Sequence, residues 1–124
     1  MSTTITESMV LDFARATGDF NPLHLDEDYA QKTIFKGRIA HGALSIGLLS
    51  GVFSDFLGPG SFAISQELKF LAPVRLGDTI TCTVEVMELI PEKNRAKFRT
   101  TCTNQDGKMV VDGIAWGAPA RKNL

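Results

Sequence analysis

The run Thr17-Gly18-Asp19-Phe20-Asn21-Pro22-Leu23-His24 places a carboxylate, a carboxamide and an imidazole within six residues, from Asp19 to His24. A carboxylate and an imidazole that share one water are what acid–base chemistry at neutral pH requires. Fully extended, the step from Asp19 to His24 spans roughly 17 Å, and the two groups do not meet. Pro22 fixes its own φ and restricts Asn21, so together with Gly18 it favours a compact turn that brings them together. The plainer reading of the same residues is an Asx-turn, in which Asp19 and Asn21 bond local backbone and His24 is merely exposed. The segments around the run bear on which reading holds.

A short helix is expected to precede it. Thr6 suits the N-cap and Glu7 the first turn, while Met9, Phe13 and Ala16 share a face, with Val10 beside them. Gly18 is placed to end that helix as its C′ residue, so the polar run begins where a helix stops. Asp26 is a candidate cap for another short helix through Gln31, followed by a basic loop with Lys32, Lys36 and Arg38.

The segment from His41 to Leu57 has no acidic or basic residue before Asp55. Ile46, Leu49, Phe53 and Phe56 recur at helical spacing, and Gly47, Ser50, Gly51 and Ser54 form a small-residue face. That pattern predicts a helix buried all round. A membrane span is disfavoured, because seventeen residues give only about 25 Å of helix, broken up by glycine and serine. After Gly58-Pro59-Gly60 the period changes to two. Alternating runs end near Phe70, Val86 and Cys102, and Asp106-Gly107 turns the chain into a last strand from Lys108 to Trp116. Glu92-Lys93-Asn94 marks the hairpin before it. Four half-buried antiparallel strands and one apolar helix predict an α+β domain in which the sheet curls around the helix.

The chain has 124 residues and a formal net charge of −1. A single domain over residues 1–124 is expected, and without a run of one charge nucleic acid is an unlikely partner on electrostatic grounds. Met1 to Glu7 lack the pattern of a signal peptide, so a cytoplasmic protein is expected. Cys82 and Cys102 fall on the apolar face of their strands and read as buried, reduced thiols without metal-ligand spacing. Phosphate-binding glycine loops and dinucleotide fingerprints are absent, and neither a cofactor nor a metal is expected.

Taken in order, the opening helix, Thr-Gly-Asp-Phe-Asn-Pro-Leu-His, Ile39-Ala40-His41-Gly42-Ala43, the apolar helix with Ser50-Gly51, Phe70-Leu71-Ala72-Pro73-Val74 and Gly77-Asp78 resemble the MaoC-like branch of the hot-dog fold. Within it they are similar to the short (R)-specific enoyl-CoA hydratases. The resemblance implies reversible addition of water to a trans-2-enoyl-CoA, a catalytic pair on Asp19 and His24, and a homodimer whose sheets join edge to edge. It also implies an oxyanion role for Gly42 and a substrate contact for Ser50. With only Met1 to Ile5 ahead of the helix, the first strand must be very short, or the sheet is missing part of one.

The chemistry is consistent with these roles. His24 is expected as base toward water and Asp19 as donor to the α-carbon, or the two share both tasks in a concerted step. Asn21 orients the pair or its water, makes the turn, or does both. A backbone N–H at a helix N-terminus stabilises an oxyanion, and glycine lets the ligand approach. His41, beside a helix start, reads as a structural residue. Phe53, three residues after Ser50, borders the acyl group and favours chains of about four to six carbons, or simply packs under the sheet. Lys32, Lys36, Arg38, Lys69 and Arg75 could meet CoA phosphates, although each reads more simply as a solvated charge. The last two strands, with little edge charge, are expected at the open edge that pairs two copies. Competing functions are a hot-dog acyl-CoA thioesterase and a dehydratase subunit acting on acyl carrier protein.

Overall fold

A computed structural model describes residues 1–120. The chain opens with β1 (Ser2–Thr4) and α1 (Glu7–Thr17), continues through two short helices, α2 (Pro22–Leu25) and α3 (Glu27–Gln31), and reaches the long helix α4 (Gly42–Leu57). Strands β2 (Phe62–Phe70), β3 (Thr79–Ile90), β4 (Arg95–Thr103) and β5 (Met109–Ala118) follow. All pairings are antiparallel, in the order β1-β3-β4-β5-β2.

Local chemistry sets the helix ends. The Thr6 side chain accepts from the Met9 N–H at 3.2 Å, and Gly18, at φ 78°, donates its N–H to the Ala14 carbonyl. An L-residue at that φ is strained, which is why the helix stops where the polar run starts. Asp26 caps α3 by accepting from the Tyr29 N–H at 3.1 Å. The first strand is indeed short, and its three residues pair with Thr79 to Thr81 of β3.

The core lies between α4 and the inner face of the sheet. Leu49 of α4 packs with Ile5, Val10, Ile80 and Val110, and Phe53 meets Phe98 edge-on at 4.9 Å between ring centroids. Cys82 and Cys102 are direct cross-strand neighbours in this core, free thiols with Sγ atoms 3.5 Å apart. Their shared hydrogen bond and burial hold the Cys102 thiol above its ordinary range.

Two expectations need correction. Helix α4 is not buried all round. Ser45, Leu49 and Phe53 are buried, but Ala43, Gly47, Ser50, Gly51 and Ser54 are exposed, because five strands cover only one side of the helix. Nor do the last two strands form the open edge. Strand β4 lies between β3 and β5, and β5 lies between β4 and β2, so the free edges belong to β1 and β2. Strand β2 is almost wholly exposed, with Phe62, Ile64 and Phe70 at 57%, 43% and 56%. Gly113 of β5 lets it lie close, since a Cβ there would collide with Leu68 and the Glu67 carbonyl. No helix among the described residues is long and apolar enough to cross a membrane.

Candidate active site

The turn between α1 and α2 is built from its own side chains. The Asp19 carboxylate accepts from the Asn21 N–H at 3.3 Å, and the Asn21 carboxamide oxygen accepts from the Leu23 N–H at 3.0 Å. Asn21 thereby caps α2, with Pro22 in its first turn. The Asx-turn reading therefore holds for the backbone. Its other half does not, because His24 is only 8% exposed.

Folding brings the imidazole to the carboxylate and adds a second imidazole to them. One donor atom from each of Asp19, His24 and His41 lies within 4.8 Å of those of the other two. Two features keep His24 in a base-competent state. Its Nδ1 lies 2.8 Å from the Ile39 carbonyl, an acceptor only, so Nδ1 carries the proton and the neutral ring keeps a lone pair on Nε2. Burial pushes its pKa below the ordinary histidine value; the Ile39 bond opposes that shift, nearby His41 adds to it, and Asp19 opposes it. The Arg38 guanidinium donates to the His24 carbonyl at 2.8 Å and pairs with Glu7 at 2.7 Å, fixing α2 against α1.

Gly42 is the first residue of α4, where N–H groups have no partner within the helix. It borders an apolar cavity of about 280 Å³ walled by Ile39, Ala40, Phe70 to Val74 and Val111. A Cβ on Gly42 would stand 3.0 Å from the Phe70 ring. Ser45, one turn along the same face and 4% exposed, lines this cavity too. Sequence reasoning passed over Ser45, although its spacing of three from Gly42 was the available signal.

Ser50 and Phe53 do come together, at a second cavity of about 180 Å³ that they share with Leu57, Phe62 and Gln66. It opens between α4 and the edge strand β2. Eight residues of helix, about 12 Å, separate Ser50 from Gly42, so this cavity is distinct from the first. Phe53 packs edge-on against Phe98 and also faces this cavity. Among the basic residues, Arg38 and Arg75 are already engaged, Arg38 by Glu7 and Arg75 by the Phe35 and Gly37 carbonyls.

The curled five-stranded sheet packed on α4, with Asp19 and His24 gathered on a turn beside the N-terminus of that helix, describes a hot-dog domain. Residues 1–108 match the model of the MaoC like domain, and the chain belongs to that family. It is 53% identical over 116 residues to an (R)-specific enoyl-CoA hydratase of Rhodospirillum rubrum, covering 93% of this chain and 80% of that protein. It is 51% identical over 112 residues to a 3-hydroxybutyryl-CoA dehydratase of Methylorubrum extorquens, covering 90% and 71%. In three dimensions it resembles the (R)-hydratase of A. caviae involved in PHA biosynthesis, with a TM-score of 0.91, 38% identity and coverage of 95% and 90%.

Proposed function

We propose that this chain is a hydro-lyase, an (R)-specific enoyl-CoA hydratase that reversibly adds water to a trans-2-enoyl-CoA to give the (R)-3-hydroxyacyl-CoA. The observation that carries the reading is the neutral His24, tied through Nδ1 to Ile39 and clustered with the Asp19 carboxylate. His24 Nε2 takes a proton from the water, whose oxygen bonds to the β-carbon. The Asp19–His24 pair returns one proton to the α-carbon, so it ends each turnover as it began. Negative charge that builds on the thioester oxygen is met by the Gly42 N–H and the positive end of α4. Asn21 holds the turn that carries the pair. Following loss of the enoyl absorbance with crotonyl-CoA, and resolving the product on a chiral phase, tests the reading. Accumulation of the (R)-alcohol supports it. Release of free thiol without hydration would favour a thioesterase instead.

The assembly is a homodimer joined through β2. The outward N–H and C=O groups of that strand have no strand partner among the described residues, and its exposed Phe62, Ile64 and Phe70 need cover. A second copy along this edge would also close the cavity of Ser50 and Phe53, which lies between α4 and β2. Sedimentation of the purified chain at micromolar concentration is expected to give twice the monomer mass. A monomer would refute the edge assignment. A cytoplasmic location accords with a soluble acyl-CoA substrate.

Phe53 sets chain length in this reading. Its ring fills the place where a longer acyl tail beside Ser50 would run. Wild type is expected to prefer crotonyl-CoA over dodecenoyl-CoA in kcat/KM, and Phe53→Ala to shift the ratio toward the long substrate. Because removing a buried ring costs about 3–5 kcal/mol, Phe53→Leu serves as the milder companion. An unchanged ratio in folded variants would leave Phe53 a packing residue only.

A further inference from the structure

His41 precedes α4 as its N-cap residue, yet its side chain makes no capping bond. It is 2% exposed, and its interactions run elsewhere. Its Nε2 lies 3.0 Å from the Asp19 carbonyl, which accepts only, so Nε2 donates. In the neutral ring Nδ1 then carries a lone pair, and this buried atom has no hydrogen-bond partner among the described residues. Leaving a buried acceptor unpaired costs free energy, so a helix cap alone does not account for an imidazole here. One flank of the ring packs on Phe13 of α1 at 4.7 Å between centroids; the ring of His24 lies 4.0 Å away, tilted by 32°.

We propose that His41 is a positioning residue for the hydration chemistry: its Nε2–H bond fixes the Asp19 turn, its ring fixes the plane of His24, and its place next to Gly42 sets both against the oxyanion donor. The inference rests on the Asp19–His24–Gly42 reading given above. The Asp19 turn is otherwise held by short-range bonds within residues 17 to 21, from the Asp19 N–H to the Thr17 hydroxyl and from the Asn21 N–H to the Asp19 carboxylate. Those bonds shape the turn without tying it to α4. The His41 bond spans 22 residues and does tie it. A displacement of about 1 Å in such a constellation lowers rate about 10²-fold.

The charged and titratable groups around His24 are Asp19 on the turn, His41 at the head of α4, and Arg38 with its partner Glu7. Of these, His41 helps keep His24 neutral. Removing the imidazole therefore moves the acid limb of kcat/KM to higher pH.

Two variants separate the ring from the bond. His41→Phe keeps an aromatic face against His24 but loses the donor to Asp19. His41→Gln keeps an N–H that reaches the Asp19 carbonyl and loses the ring. Expected on crotonyl-CoA are a kcat about 10²-fold lower for His41→Phe with KM little changed, partial recovery of kcat in His41→Gln, and an acid limb displaced upward in both. Equal losses in the two variants with an unmoved limb would overturn the proposal, as would wild-type kcat and limb in His41→Phe. If His41→Phe does not fold, the limb of His41→Gln decides alone: an upward shift supports the proposal, and an unmoved limb overturns it. Asp19→Asn, assayed alongside, separates the two levels. Full turnover there would sink the catalytic reading and this one with it. Loss of turnover there, beside wild-type behaviour in the His41 variants, would sink only the positioning role.

Discussion

Replacing Asp19 with Asn, or His24 with Ala, is expected to lower turnover on crotonyl-CoA by roughly 10²–10⁴-fold, the range for removing a positioned acid or base. The structure makes Asp19→Asn a clean probe. Its amide oxygen can still accept from the Asn21 N–H, which the carboxylate now does at 3.3 Å. The turn persists, while the negative charge and the capacity to hold a proton are lost. His24→Ala is harsher, because it leaves the Ile39 carbonyl without its donor. His24→Asn is the gentler companion, since its amide nitrogen occupies the place of Nδ1 and can still donate to Ile39, while nothing replaces Nε2. Initial rates with thermal unfolding curves check both sites. Near-normal turnover in a folded variant would show that its residue is not catalytic. With His24 as the proposed base, the wild type is expected to show a signed pH dependence. Because His24 is held below the ordinary histidine value of about 6.5, the neutral form persists to lower pH. The acid limb of kcat/KM therefore falls at a pH below that of a solvated histidine.

The elements were legible because their signals are local. Thr6, Gly18 and Asp26 act within four residues of themselves, and each caps as its type predicts. Period-two alternation marked Ile80, Cys82, Ala96, Phe98, Thr100 and Cys102 as inward-facing, and these are buried, whereas Val86 and the β2 residues Phe62, Ile64 and Phe70, marked by the same alternation, are exposed. The Asp19–His24 association was legible for a related reason, since Gly18, Asn21 and Pro22 shape the intervening chain. What escaped was set by tertiary contact. Nothing near His41 in sequence says that its ring meets Asp19, 22 residues earlier. Strand order is equally non-local. The hairpin at Asp106-Gly107 pairs β5 with β4 but leaves open that β2 returns to the far side of β5 and becomes the edge. Helix α4 misled through composition. Its small residues suit tight packing against a neighbour, yet Gly47, Ser50, Gly51 and Ser54 are exposed.

Gly42→Pro is expected to lower kcat by about 10²–10³-fold, the effect of deleting one oxyanion donor, while the protein stays folded. Proline normally breaks a helix by removing an N–H that is bonded within it, but Gly42 opens α4, where that N–H is free and proline is favoured. The preceding residue, His41, already has φ −59° and ψ 133°, the extended geometry that a following proline imposes. The substitution therefore removes a donor with little change in backbone. It also adds ring carbons, so Gly42→Ala is the matched control. The alanine keeps the N–H but places a Cβ 3.0 Å from the Phe70 ring, the far end of that side chain. If the N–H stabilises the thioester oxyanion, Gly42→Ala loses far less kcat than Gly42→Pro, and the difference between them measures the donor. If both fall equally, Gly42 matters for the room it leaves beside the cavity and not for its N–H. If both retain wild-type kcat, the oxyanion is stabilised by another group.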